Sequence, residues 1–132
     1  MKRIFLDTNI IIDMLMREEY KPQIRELIVK CSDKELYISY LTIANAAYIM
    51  RKYPKSEINS NIKLLLDLFS VISNDQNQIE RAIKEEVPDF EDMLLYQSAL
   101  SADCEAILTR NAKDFPFAKI PVMSVATFLA LI

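Results

Sequence analysis

The chain of 132 residues contains no histidine and no glycine, and only two cysteines. Without histidine there is no Ser-His-Asp triad and no imidazole-bound zinc; without glycine there is no Walker loop and no GxGxxG cradle for a nucleotide phosphate. Cys31 and Cys104 lie far apart in the chain, which gives no support to a structural zinc site and leaves two thiols expected to be buried in a reducing compartment. An excess of positive charge is missing too. Sixteen Lys and Arg against 19 Asp and Glu give a formal charge of −3, so the chain lacks the basic field of a protein that coats nucleic acid by charge alone. No apolar run approaches the roughly 18 residues that cross a bilayer. At the start, Asp7 interrupts Ile4-Phe5-Leu6, well short of the roughly seven apolar residues of a secretory core. These absences predict a cytoplasmic protein without membrane association. They leave carboxylate, hydroxyl, amide, thiol, Lys and Arg for any chemistry, and a bound divalent cation reverses the local field of clustered carboxylates.

At 52% hydrophobic residues the chain can bury a core of its own, and one domain over residues 1–132 is expected. Lys2 to Leu6 reads as a buried strand because its apolar residues run continuously, as in parallel strands covered on both faces. Further short strands fit Leu36 to Ile38, Ser70 to Ser73, Ala106 to Leu108 and Pro121 to Met123. Helical spacing occupies Ile10 to Met16, Tyr20 to Cys31, the stretch from Ser39 to about Lys52, Ser56 to Phe69, Gln76 to Glu86, Asp89 to Ala102 and Ser124 to Ile132. In the fourth of these, Ile58, Ile62, Leu65, Leu66 and Phe69 are expected inward. Strands alternating with helices predict an α/β protein with a parallel sheet of four to five strands and right-handed crossovers. Functional loops then gather at the carboxyl ends of the strands, where the strand order reverses. Asp7 and Thr109-Arg110-Asn111 share one crevice if the first and fourth strands are neighbours.

Three segments carry the candidate chemistry. In Leu6-Asp7-Thr8-Asn9 a charge stands at the mouth of a buried strand, where it needs a cation or hydrogen bonds; capping of the next helix by Asp7 accounts for it equally. In Pro88-Asp89-Phe90-Glu91-Asp92, Asp89 and Asp92 have the spacing of an N-cap and the third helical position. Leu95, Tyr96 and Ala99 on the side of Asp92 point to an inward face, and no Lys or Arg lies within helical reach of that carboxylate. In Thr109-Arg110-Asn111-Ala112-Lys113-Asp114-Phe115 a hydroxyl, an amide and a carboxylate follow the fourth strand. A polar turn closed by Phe115 explains it equally.

The ordered set, from Arg3 to Phe128, resembles the PIN domain family, to which the VapC-type toxins of bacterial toxin–antitoxin pairs belong. The resemblance implies an α/β/α sandwich around a parallel sheet, an acidic pocket for Mg²⁺ or Mn²⁺, and hydrolysis of RNA phosphodiester bonds. It makes Asp7 the first acid and Asp92 the later helix acid, both as metal ligands, with Asp89 or Asp114 as an outer acceptor that orients water. Asn9, Thr109 and Asn111 would hold that geometry, and Arg110 and Lys113 would meet RNA phosphates. One metal is expected rather than two, since the family's loop acid falls at Asn111 and the Glu of most active members falls at Asn45. A branch of the family resembles this chain in having Asn there and a Tyr after it. Two functions follow: an endoribonuclease held inactive by a small antitoxin, or a non-catalytic PIN module that binds RNA or a protein. A phosphotransferase using Asp7 as nucleophile would want Asp where Asn9 stands. Four of the six tyrosines fall between Tyr37 and Tyr53, open to base stacking, a homodimer surface or core packing.

Overall fold

The computed structural model describes residues 1–132. Five parallel strands, β1 (Arg3–Leu6), β2 (Glu35–Ser39), β3 (Ser70–Ile72), β4 (Ala106–Leu108) and β5 (Val122–Met123), lie in the order β3-β2-β1-β4-β5. Seven helices connect them: α1 (Thr8–Met16), α2 (Lys21–Lys30), α3 (Tyr40–Ile49), α4 (Lys55–Leu68), α5 (Gln76–Lys84), α6 (Phe90–Ser101) and α7 (Val125–Leu131). The expected elements are all present, with ends that differ by no more than three residues.

Ile4, Phe5 and Leu6 are completely buried because β1 is the central strand and both its faces are covered. Ile4 and Leu6 pack with α1, α2, α4 and α7 on one face, whereas Phe5 joins Met93, Leu95 and Ala99 of α6 on the other. The result is the predicted α/β/α sandwich. One inward assignment fails. Leu66 is 57% exposed, and Leu68 packs against the core in its place. With Leu65 fully buried, positions three and four further on complete its face, while the next residue is rotated about 100° away.

The side chains of Asp7, Ser39, Asp75, Asp89 and Ser124 each accept a backbone N–H at a helix start, satisfying donors that the first turn leaves free. At the far end of α6 the lack of glycine has a visible consequence. Cys104 N–H donates to the Ala99 carbonyl and Asp103 N–H to that of Leu100, a Schellman closure that requires left-handed backbone. Asp103 supplies it at φ 56°. Glycine would relieve roughly 1 kcal/mol of that conformation and give back about 0.5 kcal/mol in the more flexible unfolded chain. Asp103→Gly is therefore expected to stabilise the fold by about 0.5 kcal/mol, read as a higher urea midpoint at unchanged slope; a lower midpoint would contradict this account of the turn.

Candidate active site

Strand order reverses between β1 and β4, and the crevice of an open α/β sheet forms above such a point. Asp7 leaves β1 there and Thr109 leaves β4. Pairing of Leu6 with Leu108 brings together two residues that are 102 positions apart. Asp7 is only 5% exposed. Its Oδ1 accepts the Thr8 N–H at 2.8 Å, and its Oδ2 accepts the Thr109 hydroxyl at 2.8 Å. Capping and cleft lining are thus both true of this residue. Asn9 ties the loops together, its Nδ2 donating to Thr109 Oγ1 at 3.2 Å and its Oδ1 accepting the Arg110 N–H at 3.2 Å.

Asp7, Asn9, Glu91, Asp92, Arg110 and Asp114 line one cleft of about 290 Å³. Asp92 stands in the first turn of α6, whose Met93, Leu95, Tyr96 and Ala99 are buried as the apolar positions predict. Its backbone N–H is capped by Asp89 at 3.0 Å, while its own carboxylate has neither a hydrogen bond nor an ion pair. Burial, then the charges of Asp89, Asp7, Asp114 and Glu91, push its carboxyl up to about 7. Burial raises Asp7 as well, although the hydrogen bonds from Thr109 and Thr8 pull it back toward the ionised form. These acids face one another across the cleft, but no three of them converge into a ready-made metal cage.

The other expected residues take distinct places. Thr109 is buried beneath the cleft and holds Asp7. Asn111 does not line the cleft; its Nδ2 donates to Asp114 Oδ1 at 3.1 Å and its N–H to Thr109 Oγ1 at 3.2 Å. Asp89 caps α6 and, with Lys113, lines an adjoining cavity of about 450 Å³ that shares Asp92 and Asp114. Phe115, 3% exposed, pins this loop into the core. Asn45 reaches the cleft rim indirectly, donating from Nδ2 to Glu91 Oε1 at 3.1 Å. Glu91 itself was not among the expected site residues. The only signal in the sequence was its place among three acids at the start of an apolar helix. Tyr37 packs against the core, whereas Tyr40, Tyr48 and Tyr53 are all at least 39% exposed, so core packing accounts for one of the four clustered tyrosines. No helix is long and apolar enough to cross a membrane.

An acidic cleft at the switch point of a β3-β2-β1-β4-β5 parallel sheet defines a class of carboxylate-based α/β domain, and the chain matches the PIN domain over residues 3–113. It belongs to the PIN domain family. Ribonuclease VapC1 of Aquifex aeolicus is 27% identical to it over 135 residues, covering 96% of this chain and 93% of that protein. A toxin-antitoxin complex from Klebsiella pneumoniae contains a chain with 26% identity and a TM-score of 0.70, covering 92% of this chain and 97% of that one. VapBC-1 from nontypeable Haemophilus influenzae, at 20% identity, has the same fold with a TM-score of 0.72 over 94% of this chain and 98% of its own.

Proposed function

We propose that this chain is a divalent-metal-dependent endoribonuclease that hydrolyses RNA phosphodiester bonds, and the toxin half of a toxin–antitoxin pair kept inactive by a small antitoxin protein. The observation that carries this reading is the pair Asp7 and Asp92, two carboxylates distant in sequence that face one cleft, neither with a cationic partner and Asp92 without a side-chain hydrogen bond. The ribonuclease relative and the toxin-antitoxin neighbour support it.

The donor set suits Mg²⁺ or Mn²⁺, because the cleft offers hard carboxylate and amide oxygens and neither imidazole nor thiolate. Mg²⁺ keeps several waters and needs only one or two carboxylates, so two acids suffice for a single site. Asp7 and Asp92 would hold it. A cation bound there would lower the pKa of a water and offset charge on the phosphoryl oxygens. Thr109 keeps the Asp7 carboxylate oriented, and Asn9 keeps Thr109 in place. Asp114, braced by Asn111, is the acid that orients water, rather than Asp89, whose carboxylate is engaged as a cap. Arg110 and Lys113 are the nearest cations for RNA phosphates.

Purified protein is expected to cleave mixed RNA in Mg²⁺ or Mn²⁺, to stop on chelation and to resume when metal is restored. Absence of metal-dependent cleavage would favour the second reading, a PIN module that binds RNA or a protein without cutting. Asn45 and Asn111, amides at positions where acids are common in the family, motivate that reading.

Asn45→Glu tests the first of these amides. Beside Glu91 a new carboxylate replaces a hydrogen-bond donor, so the metal-free protein should melt at a lower temperature. With metal, the added negative oxygen should tighten Mg²⁺ binding by roughly threefold to tenfold and speed cleavage where occupancy limits the rate. Calorimetric titration and melting with and without Mg²⁺ read both effects. If neither moves, this part of α3 does not serve the cleft.

A further inference from the structure

One buried acid stands outside the cleft. Asp13 lies in α1 between Ile12 and Met14 and is 1% exposed. A carboxylate so far from water destabilises the fold unless it is paired. Its Oδ2 is 2.7 Å from Arg110 Nε, whereas its Oδ1 has no hydrogen bond and lies 3.7 Å from Arg17 Nε. Arg110 is therefore the close partner of Asp13.

Arg110 in turn stands between two spaces. It lines a cavity of about 350 Å³ together with Asp13, Tyr20 and Ser124, and it also lines the acidic cleft with Asp7, Asp92 and Asp114. Its backbone is fixed by Asn9 and its guanidinium by Asp13 through Nε. The terminal amines, Nη1 and Nη2, form no hydrogen bond or ion pair within the chain. A guanidinium is a rigid fork of five donors, so holding Nε leaves the other edge able to bind an anion. The restraint also settles a conflict. A free cation beside several carboxylates would collapse onto them and compete with a metal ion.

We propose that Asp13 is a positioning residue, holding Arg110 at the edge of the cleft so that its terminal amines bind a non-bridging phosphate oxygen of RNA. The proposal rests on the nuclease reading for its substrate, and binding can be measured apart from cleavage. The probe is a short single-stranded 2′-O-methyl RNA of mixed sequence, titrated in Mg²⁺ at several salt concentrations, with wild type, Arg110→Ala, Asp13→Leu, Asp13→Asn and the Arg110→Ala/Asp13→Leu double variant. Asp13→Leu should fold, because an apolar side chain of similar size replaces a buried charge. Its affinity should fall by roughly tenfold, as for one lost charge-assisted hydrogen bond, and its salt slope should flatten by about 0.7. A purely structural role for Asp13 would leave that slope alone. Asp13→Asn keeps an acceptor for Nε and should recover most of the affinity. The double variant should bind no more weakly than Arg110→Ala.

With cleavable RNA, the same variants should raise KM by a similar factor and leave kcat nearly unchanged. Wild-type affinity and slope in Asp13→Leu, or losses that add in the double variant, would overturn the proposal while wild-type cleavage upheld the nuclease. Binding of the probe without any cleavage would remove the nuclease reading, and the variant affinities would still decide the role of Asp13. No binding of the probe by wild type would overturn the proposal whatever the cleavage result.

Discussion

Asp7→Asn is expected to reduce metal-dependent RNA cleavage by roughly a hundredfold or more, above the 10- to 100-fold typical of losing a group that only orients a ligand. The substitution removes a negative charge from the innermost wall of the cleft and changes little else. Asn can still accept the Thr8 N–H through its carbonyl oxygen, whereas the Thr109 hydroxyl must reorient because an amide nitrogen replaces its acceptor. That reorientation costs about 1 kcal/mol. Loss of a carboxylate whose ionised form is disfavoured by burial works in the opposite direction. Melting temperature in the absence of metal should therefore shift by only a few degrees, and the stabilisation by Mg²⁺ should largely disappear. Cleavage at the wild-type rate would show that the hydrolysis arises elsewhere, and the central assignment of this site would fall with it.

The second large effect belongs to Asp92 and depends on pH. Its carboxyl is raised from an ordinary value of 3.8 to about 7, so the folded, metal-free protein binds this proton more tightly than the unfolded chain does. Stability from this group is full below the unfolded value and is lost as pH rises from about 4 through about 7. Metal-free wild type should accordingly melt at a lower temperature near pH 8 than near pH 5 as far as this group is concerned. Asp92→Asn should flatten that dependence and melt above wild type at about pH 8.

Metal binding has the opposite slope, since a ligand carboxyl must lose its proton first. Mg²⁺ should stabilise wild type more at about pH 8 than at about pH 6, with proton release that falls in the variant. Cleavage by Asp92→Asn should drop by roughly a hundredfold, by the same reasoning as for Asp7. Melting curves across pH, with and without Mg²⁺, separate these effects. Unchanged metal stabilisation in Asp92→Asn would mean that the residue serves only the start of α6. A helix cap gives a different signature, a loss of about 1 kcal/mol on removal, and Asp89 is the side chain that makes that bond here.

By itself the sequence determined most of the local structure. Continuous apolar residues marked β1 as a strand covered on both faces, polar caps marked the helix starts, and Leu95, Tyr96 and Ala99 turned one face of α6 inward. It also isolated Asp7 and Asp92, because a carboxylate next to an apolar run with no nearby cation is conspicuous in one dimension. Periodicity reports how a segment divides into faces, and that information is local. It was less decisive in α4, where adjacent leucines made Leu66 and Leu68 rivals and packing selected the second.

Only the tertiary structure decided which loops meet. Placement of β4 beside β1 brings Thr109 onto Asp7 and Arg110 onto Asp13, contacts fixed by strand pairing between residues about a hundred positions apart. Docking of α6 over the sheet turned Glu91 toward the cleft and Asn45. Successive side chains on a helix point about 100° apart, so three acids in four residues cannot be told apart until the helix has a fixed position. The roles of these acids follow from long-range geometry, whereas their presence was written in the chain.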